Sequence, residues 1–249
     1  MENRPRRLII LAGPSCVGKS PLDKALFRFH PQERQNLKSL VLFNSRDPRP
    51  GELDGVDYHF RGRAQIADLE GDERFVVMDV RGDLQALDIE QLNEDLAEGD
   101  VFFEGNPFVG EILQTHPALA DVNRLSVFMS PLSREEILML RSQPSVSVPD
   151  LVTDVMRRKL LRRTRRQKGE LSQKDLENIE VRASSAYSEL KKAHQFQHVI
   201  PNHDGEDSEN WDAFYYPIGD ARRALNAFVA LLKGEASRDI ETWHETLLA

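Results

Sequence analysis

Residues 13–20 read Gly13-Pro14-Ser15-Cys16-Val17-Gly18-Lys19-Ser20, an unbroken match to G-x-x-x-x-G-K-[ST]. No other stretch limits the fold as tightly, because a loop of this kind joins a buried strand to a helix. Both are present. "RRLIILAG" is a short apolar run ending in glycine, as a buried parallel strand would be. "PLDKALFRF" then places Leu22, Ala25, Leu26 and Phe29 on one helical face. The eight loop residues are expected to cradle phosphate oxygens with backbone N–H groups at the positive end of that helix. Lys19 supplies charge at the β- and γ-phosphates, and the Ser20 hydroxyl is the expected Mg²⁺ ligand. Pro21 falls in the first helical turn, where a missing N–H breaks no intrahelical bond. It removes one possible phosphate donor, a loss on the order of 1 to 3 kcal/mol. Cys16 is read either as a small residue that fits the loop or as a redox brake, its thiol pKa lowered by the helix N-terminus.

Beyond the loop, apolar runs and helical patterns alternate. "LKSLVLFNS", "RFVVMDV", "VFFEGN", "RLSVFMSP" and "FQHVIPN" read as strands. "DIEQLNEDLAEGD", "SREEILMLRSQ", "DVMRRKLLRRTRRQKG", "SQKDLENIEVRASSAYSELKKA" and "DARRALNAFVALLKG" read as helices, two of them opened by serine caps. The alternation predicts an α/β chain, a parallel sheet with helices on both faces. The 249 residues carry 33 basic and 41 acidic side chains, a net charge of −8, so nucleic acid is not an expected partner. One cysteine excludes an internal disulfide framework and a thiolate metal cluster. No stretch approaches 18 consecutive apolar residues and the N-terminus lacks a long signal-type apolar region, so no membrane span is expected and a cytoplasmic location is.

A second motif narrows the chemistry. "RDPRPGELDGVDYHF", residues 46–60, sets Arg46 and Arg49 three apart around a proline, followed by Glu52, Asp57 and Tyr58. Two guanidinium groups and a tyrosine hydroxyl suit a dianionic phosphate. With "GPSCVGKS" before it, this motif resembles the guanylate kinase family, whose pattern is G-P-S-x-x-G-K-[ST] followed by R-x-P-R-x-G-E-x-x-G-x-D-Y-x-F. The resemblance runs from about Leu8 to Phe228, dense at the front and sparse behind.

The resemblance implies one P-loop domain over residues 1–249. Its core would be residues 5–42, 99–140 and 171–233, its acceptor-binding lobe residues 43–98, and its lid residues 141–170. It implies ATP and Mg²⁺ as cofactors and a nucleoside monophosphate as the small-molecule partner, GMP before others. Lys19 and Ser20 would serve ATP–Mg²⁺, with Asn202 beside the adenine. Arg46, Arg49, Glu52 and Tyr58 would hold the acceptor. Arg182 and a lid arginine, Arg166, would reach the transferred phosphoryl group. The lid candidates are Arg162, Arg163, Arg165 and Arg166, within a run where eight of the twelve residues from Arg157 to Lys168 are basic. The same run is also read as a solvated helical face.

The base-reading half departs from the family. Guanine offers N1–H and N2 amino donors, which call for carboxylate acceptors. Val77 stands where the family has a glutamate, and Glu104-Gly105-Asn106 replaces its D-x-D. Leu42 takes the place of a phosphate-binding serine. Asp79, Asp83, Glu104 and Asn106 are the candidate replacements. A different phosphorylated acceptor, such as a ribose phosphate, and a non-catalytic binding module remain alternatives.

Overall fold

The computed structural model describes residues 6–49 and 51–248. Residues 1–5, where the expected core begins, lie outside the described residues, as do Pro50 and Ala249. In chain order the elements are β1 (Leu8–Ala12), α1 (Lys19–Phe29), α2 (Pro31–Gln35), β2 (Leu37–Ser39), β3 (Phe43–Asn44), β4 (His59–Phe60) and α3 (Arg63–Ala67). Next come β5 (Phe75–Val80), β6 (Asp83–Asp88), α4 (Ile89–Glu98), β7 (Asp100–Gly105), α5 (Pro107–Thr115), β8 (Arg124–Ser130) and α6 (Arg134–Arg141). Then follow α7 (Val148–Lys168), α8 (Gln173–Leu190), β9 (His198–Pro201) and α9 (Gly219–Lys233).

Two sheets result. The larger is parallel throughout, in the order β2-β7-β1-β8-β9. β1 lies at its centre with all five residues buried, which is why "LIILA" needs no polar face. The smaller sheet, β4-β3-β6-β5, is mixed, with an antiparallel β5–β6 hairpin. "LKSLVLFNS", expected as one strand, is two. Leu37–Ser39 pairs with β7 in the large sheet and Phe43–Asn44 with β6 in the small one. The apolar run continues across the gap because Leu42, 2% exposed, is buried between them, so periodicity alone hides the break.

Short α2, β4 and α3 escaped the sequence reading, as did the longer β6 and α5. β6 covers "DLQALD", a stretch that carried no assignment from sequence. α5 begins at Pro107 behind an Asn106 cap that accepts from Val109 N at 3.0 Å, an Asn-Pro start signal visible in the sequence. The serine caps expected for α6 and α8 are present as reciprocal capping boxes at Ser133 and Ser172. Among the described residues no helix is long and apolar enough to cross a membrane.

Candidate nucleotide cleft

Where β1 and β7 end, the small sheet and α7–α8 face each other across a cleft of about 430 Å³. Its floor is the loop between β1 and α1. Gly13 has φ 156° and runs so close to β8 that a Cβ would lie 2.5 Å from the Met129 carbonyl oxygen. Gly18, the N-cap of α1, has φ 107°, a conformation glycine adopts without strain. Lys19 is buried, and its Nζ donates to the carbonyls of Gly13 and Pro14 at 2.8 and 2.9 Å. Burial lowers its pKa, while the carboxylates of Glu206, Glu104 and Glu189 act the other way. Pro21 sits in the first turn, where Leu22 N still donates to Gly18 O.

Ser20 Oγ donates to Glu104 Oε1 at 2.9 Å. Burial raises the Glu104 pKa to about 7 against the opposing pull of Lys19 and the Ser20 hydroxyl. Glu104, weighed from sequence as a reader of the acceptor's base, is therefore tied to the loop serine at the end of β7. Serine hydroxyl and carboxylate form a hard-oxygen pair of the kind that suits Mg²⁺.

The opposite wall carries the second motif. Arg46 donates to both oxygens of Glu52, at 2.6 and 2.7 Å, and lies over the rings of Tyr58 and Phe60. Glu52 also accepts from Arg49 N at 2.7 Å. Its two oxygens thus shape the arginine loop, a positioning part rather than the substrate contact expected. The Arg49 side chain is 45% exposed, lines the cleft and lies 3.8 Å from Glu52. Burial raises the Tyr58 phenol pKa, with Arg46 opposing.

α8 brings Arg182 into the same cleft, its guanidinium pKa lowered by burial and by neighbouring Arg46. α7 contributes Arg163, which is 17% exposed and faces Glu206 at 3.6 Å. Arg166 is not in the cleft. It lies half exposed on α7, 3.5 Å from Glu209. Arg163 and Arg166 lie one turn apart along the same side of α7, and of the lid candidates only Arg163 lies low enough on the helix to line the cleft.

Three further expectations change. Asn202 is fully buried behind the loop, donating to Val17 O at 2.7 Å and Asp204 O at 2.6 Å, so it braces the loop instead of facing a base. Asp79 lies outside the cleft, accepting from Gly82 N at 2.8 Å in the β5–β6 turn. Asp83, two residues beyond that turn's Arg81, lines the cleft in its place, as do Asn106, Asn44 and Gln85. Cys16 is 1% exposed with φ 69°, and burial, aided by Glu206, pushes its thiol pKa upward. That is the reverse of the redox-brake expectation, because desolvation outweighs the helix dipole.

Sequence reasoning missed Arg81. At the tip of the β5–β6 hairpin, with φ 58°, it donates to Ser15 Oγ at 3.2 Å and to the buried Glu189 at 2.8 Å. It joins the small sheet to the phosphate loop and α8. An arginine beside a turn glycine carries no signal of such a distant pairing.

The family model for guanylate kinase matches residues 5–77, the stretch that holds both motifs. A guanylate kinase of Wolinella succinogenes is 30% identical over 220 residues, covering 84% of this chain and 82% of that protein. One from a Synechococcus species is 30% identical over 214 residues, covering 85% and 82%. The crystal structure of the Anaplasma phagocytophilum guanylate kinase superposes with a TM-score of 0.53 at 15% identity, over 92% of this chain and 85% of that one, a likeness of fold.

Proposed function

This chain belongs to the guanylate kinase family and is a phosphotransferase, and on that premise we propose that it transfers the γ-phosphoryl group of ATP to GMP. One observation carries the reading: two anion grips face each other across a single cleft. Lys19 and Ser20 stand on one side, and Arg46, Arg49 and Tyr58 on the other. Arg182 and Arg163 converge between them. That arrangement suits in-line transfer, in which alignment and positive charge supply most of the catalysis and no covalent intermediate is needed.

In this reading the loop amides and Lys19 hold the donor's phosphates. Arg46 and Arg49 hold the acceptor's monophosphate, with Glu52 and the Tyr58 ring fixing the guanidinium planes. Arg182 and Arg163 meet the charge that develops on the transferred group. Ser20, backed by Glu104, would hold Mg²⁺, which supplies charge neutralisation on the β- and γ-oxygens. Asp83, partly buried, and Gln85, whose buried Oε1 has no hydrogen-bond partner, provide acceptors for guanine N–H groups in place of the family's carboxylates. Residues 43–98 would serve as the acceptor lobe and residues 141–170 as the lid.

The deciding experiment is a coupled ADP-release assay with GMP, dGMP, AMP, CMP, UMP and ribose phosphates. ATP-dependent turnover of GMP above the others supports the proposal. Turnover of a ribose phosphate without GMP would reassign the acceptor. No turnover with any acceptor, together with no ATP binding by calorimetry, would end the kinase reading.

A further inference from the structure

The acidic stretch after β9 has no part in the chemistry above, yet it is built against the phosphate loop. Asp204 accepts from Ser208 Oγ at 2.8 Å, Asn210 Nδ2 at 2.9 Å and Ala221 N at 2.9 Å. The indole of Trp211 donates to Asp204 O at 2.8 Å. Gly205 packs so tightly on the loop that a Cβ would lie 2.2 Å from Cys16 O. On its other side the stretch meets the basic face of α7. Asp207 pairs with Arg162 at 2.7 Å, and Lys159 Nζ donates to His203 O. Arg162, Arg163 and Arg166 of the basic run thus each meet a carboxylate of this segment.

Glu206 differs from its acidic neighbours in direction. It lines the cleft, its side chain is 14% exposed, and it lies beside the Cys16 thiol. Lys19 and Arg182 both sense its charge. Its contact with Arg163 is imperfect. At 3.6 Å the two make an ion pair, yet Glu206 Oε2 and Arg163 Nε are each buried without a hydrogen-bond partner. The carboxylate shares the cleft with three cations, Arg163, Lys19 and Arg182, groups that a phosphate would also engage. The unpaired Arg163 Nε is a donor that such an oxygen would satisfy.

We propose that Glu206 is an internal counter-anion of the phosphate site: it holds Arg163 beside the P-loop in the nucleotide-free chain and yields those cations to phosphate when ATP binds. It is a positioning residue, and it sets the affinity for the donor downward. The inference rests on the reading of the cleft as an ATP site.

The test is Mg²⁺–ATP affinity by calorimetry for the wild-type chain, Glu206→Gln and Asp207→Asn, with nucleotide-free melting midpoints alongside. Glu206→Gln keeps the side-chain shape and removes the competing charge, so it should bind ATP about tenfold tighter. Its own melting midpoint should be unchanged or lower. Asp207→Asn makes the same change in net charge one residue away, on the side of Arg162, and should leave ATP affinity within about twofold. A merely structural Glu206 would weaken ATP binding on substitution. The proposal is overturned if Glu206→Gln binds ATP no tighter than wild type, or if Asp207→Asn tightens binding equally. If neither wild type nor Glu206→Gln binds ATP, the ATP reading itself falls and this inference goes with it.

Discussion

The Arg81–Glu189 pair gives a prediction whose size follows from burial. Glu189 is fully buried, and the Arg81 side chain is 15% exposed. Arg81 Nε reaches Glu189 Oε1 at 2.8 Å, Ser185 Oγ donates to the same oxygen at 2.7 Å, and Oε2 has no partner. Arg81→Ala would leave a carboxylate in the interior facing one hydroxyl. Removing one partner of a buried pair costs about 3–5 kcal/mol, because the remaining charge is neither solvated nor matched. The backbone offers an internal check. Arg81 has φ 58°, a left-handed conformation that costs a residue with a Cβ about 1 kcal/mol. Arg81→Gly loses the same ion pair but relieves that strain, so it should be roughly 1 kcal/mol less harmful than Arg81→Ala. Arg81→Met combined with Glu189→Leu removes both charges and should lie closer to wild type than either single change. Urea unfolding followed by the fluorescence of the buried Trp211 and Trp243 measures all of these, and a double-mutant cycle extracts the coupling. If Arg81→Ala falls within 1 kcal/mol of wild type, or the double variant is as unstable as the sum of the singles, the reasoning fails.

Other consequences are simpler. Arg49→Ala should raise KM for any monophosphate acceptor by roughly 10- to 100-fold while leaving KM for ATP unchanged; unaltered kinetics would remove the acceptor-phosphate pocket. Cys16 should react with a disulfide reagent slowly in the native chain and quickly in denaturant, because burial keeps the thiol protonated; fast native reaction would contradict this. Asp175 and Glu180 both fall to about 2, chiefly through the Lys168 side chain and through Arg157. Their folded pKa values lie below the unfolded ones, so the support they give α7 and α8 is present above about pH 4.5 and is lost as pH falls toward 2. Hydrogen exchange in α7–α8 should quicken across that window before exchange in β1 does, and uniform loss of protection would refute it.

How far the sequence reveals this molecule depends on the range of each interaction. The loop, its strand and its helix are local patterns, and Gly13, Lys19 and Ser20 stand as spacing requires. The serine caps are local too, and both formed. Arg46, Arg49 and Tyr58 were found together because one short motif carries them. Arg81, Glu189 and Glu206 were missed because their partners are far away in sequence, Glu189 lying 108 positions after Arg81. Arg163 could not be separated from Arg166 without knowing how far along α7 the cleft reaches. Asn202 was placed beside the base by resemblance, but its amide is consumed by Val17 O and Asp204 O.

The division of one apolar run between two sheets reaches beyond folding. After Ser39 the chain leaves the parallel sheet, and among the described residues no strand belongs to both layers. The small sheet therefore shares no backbone ladder with the layer that carries the phosphate loop. Substitutions on β5, such as the one that sets Val77 where the resemblance calls for a glutamate, are expected to act first on the small sheet's own stability. Changes on the small sheet are thus expected to reach the phosphate loop chiefly through the contacts of Arg81 with Ser15 and Glu189.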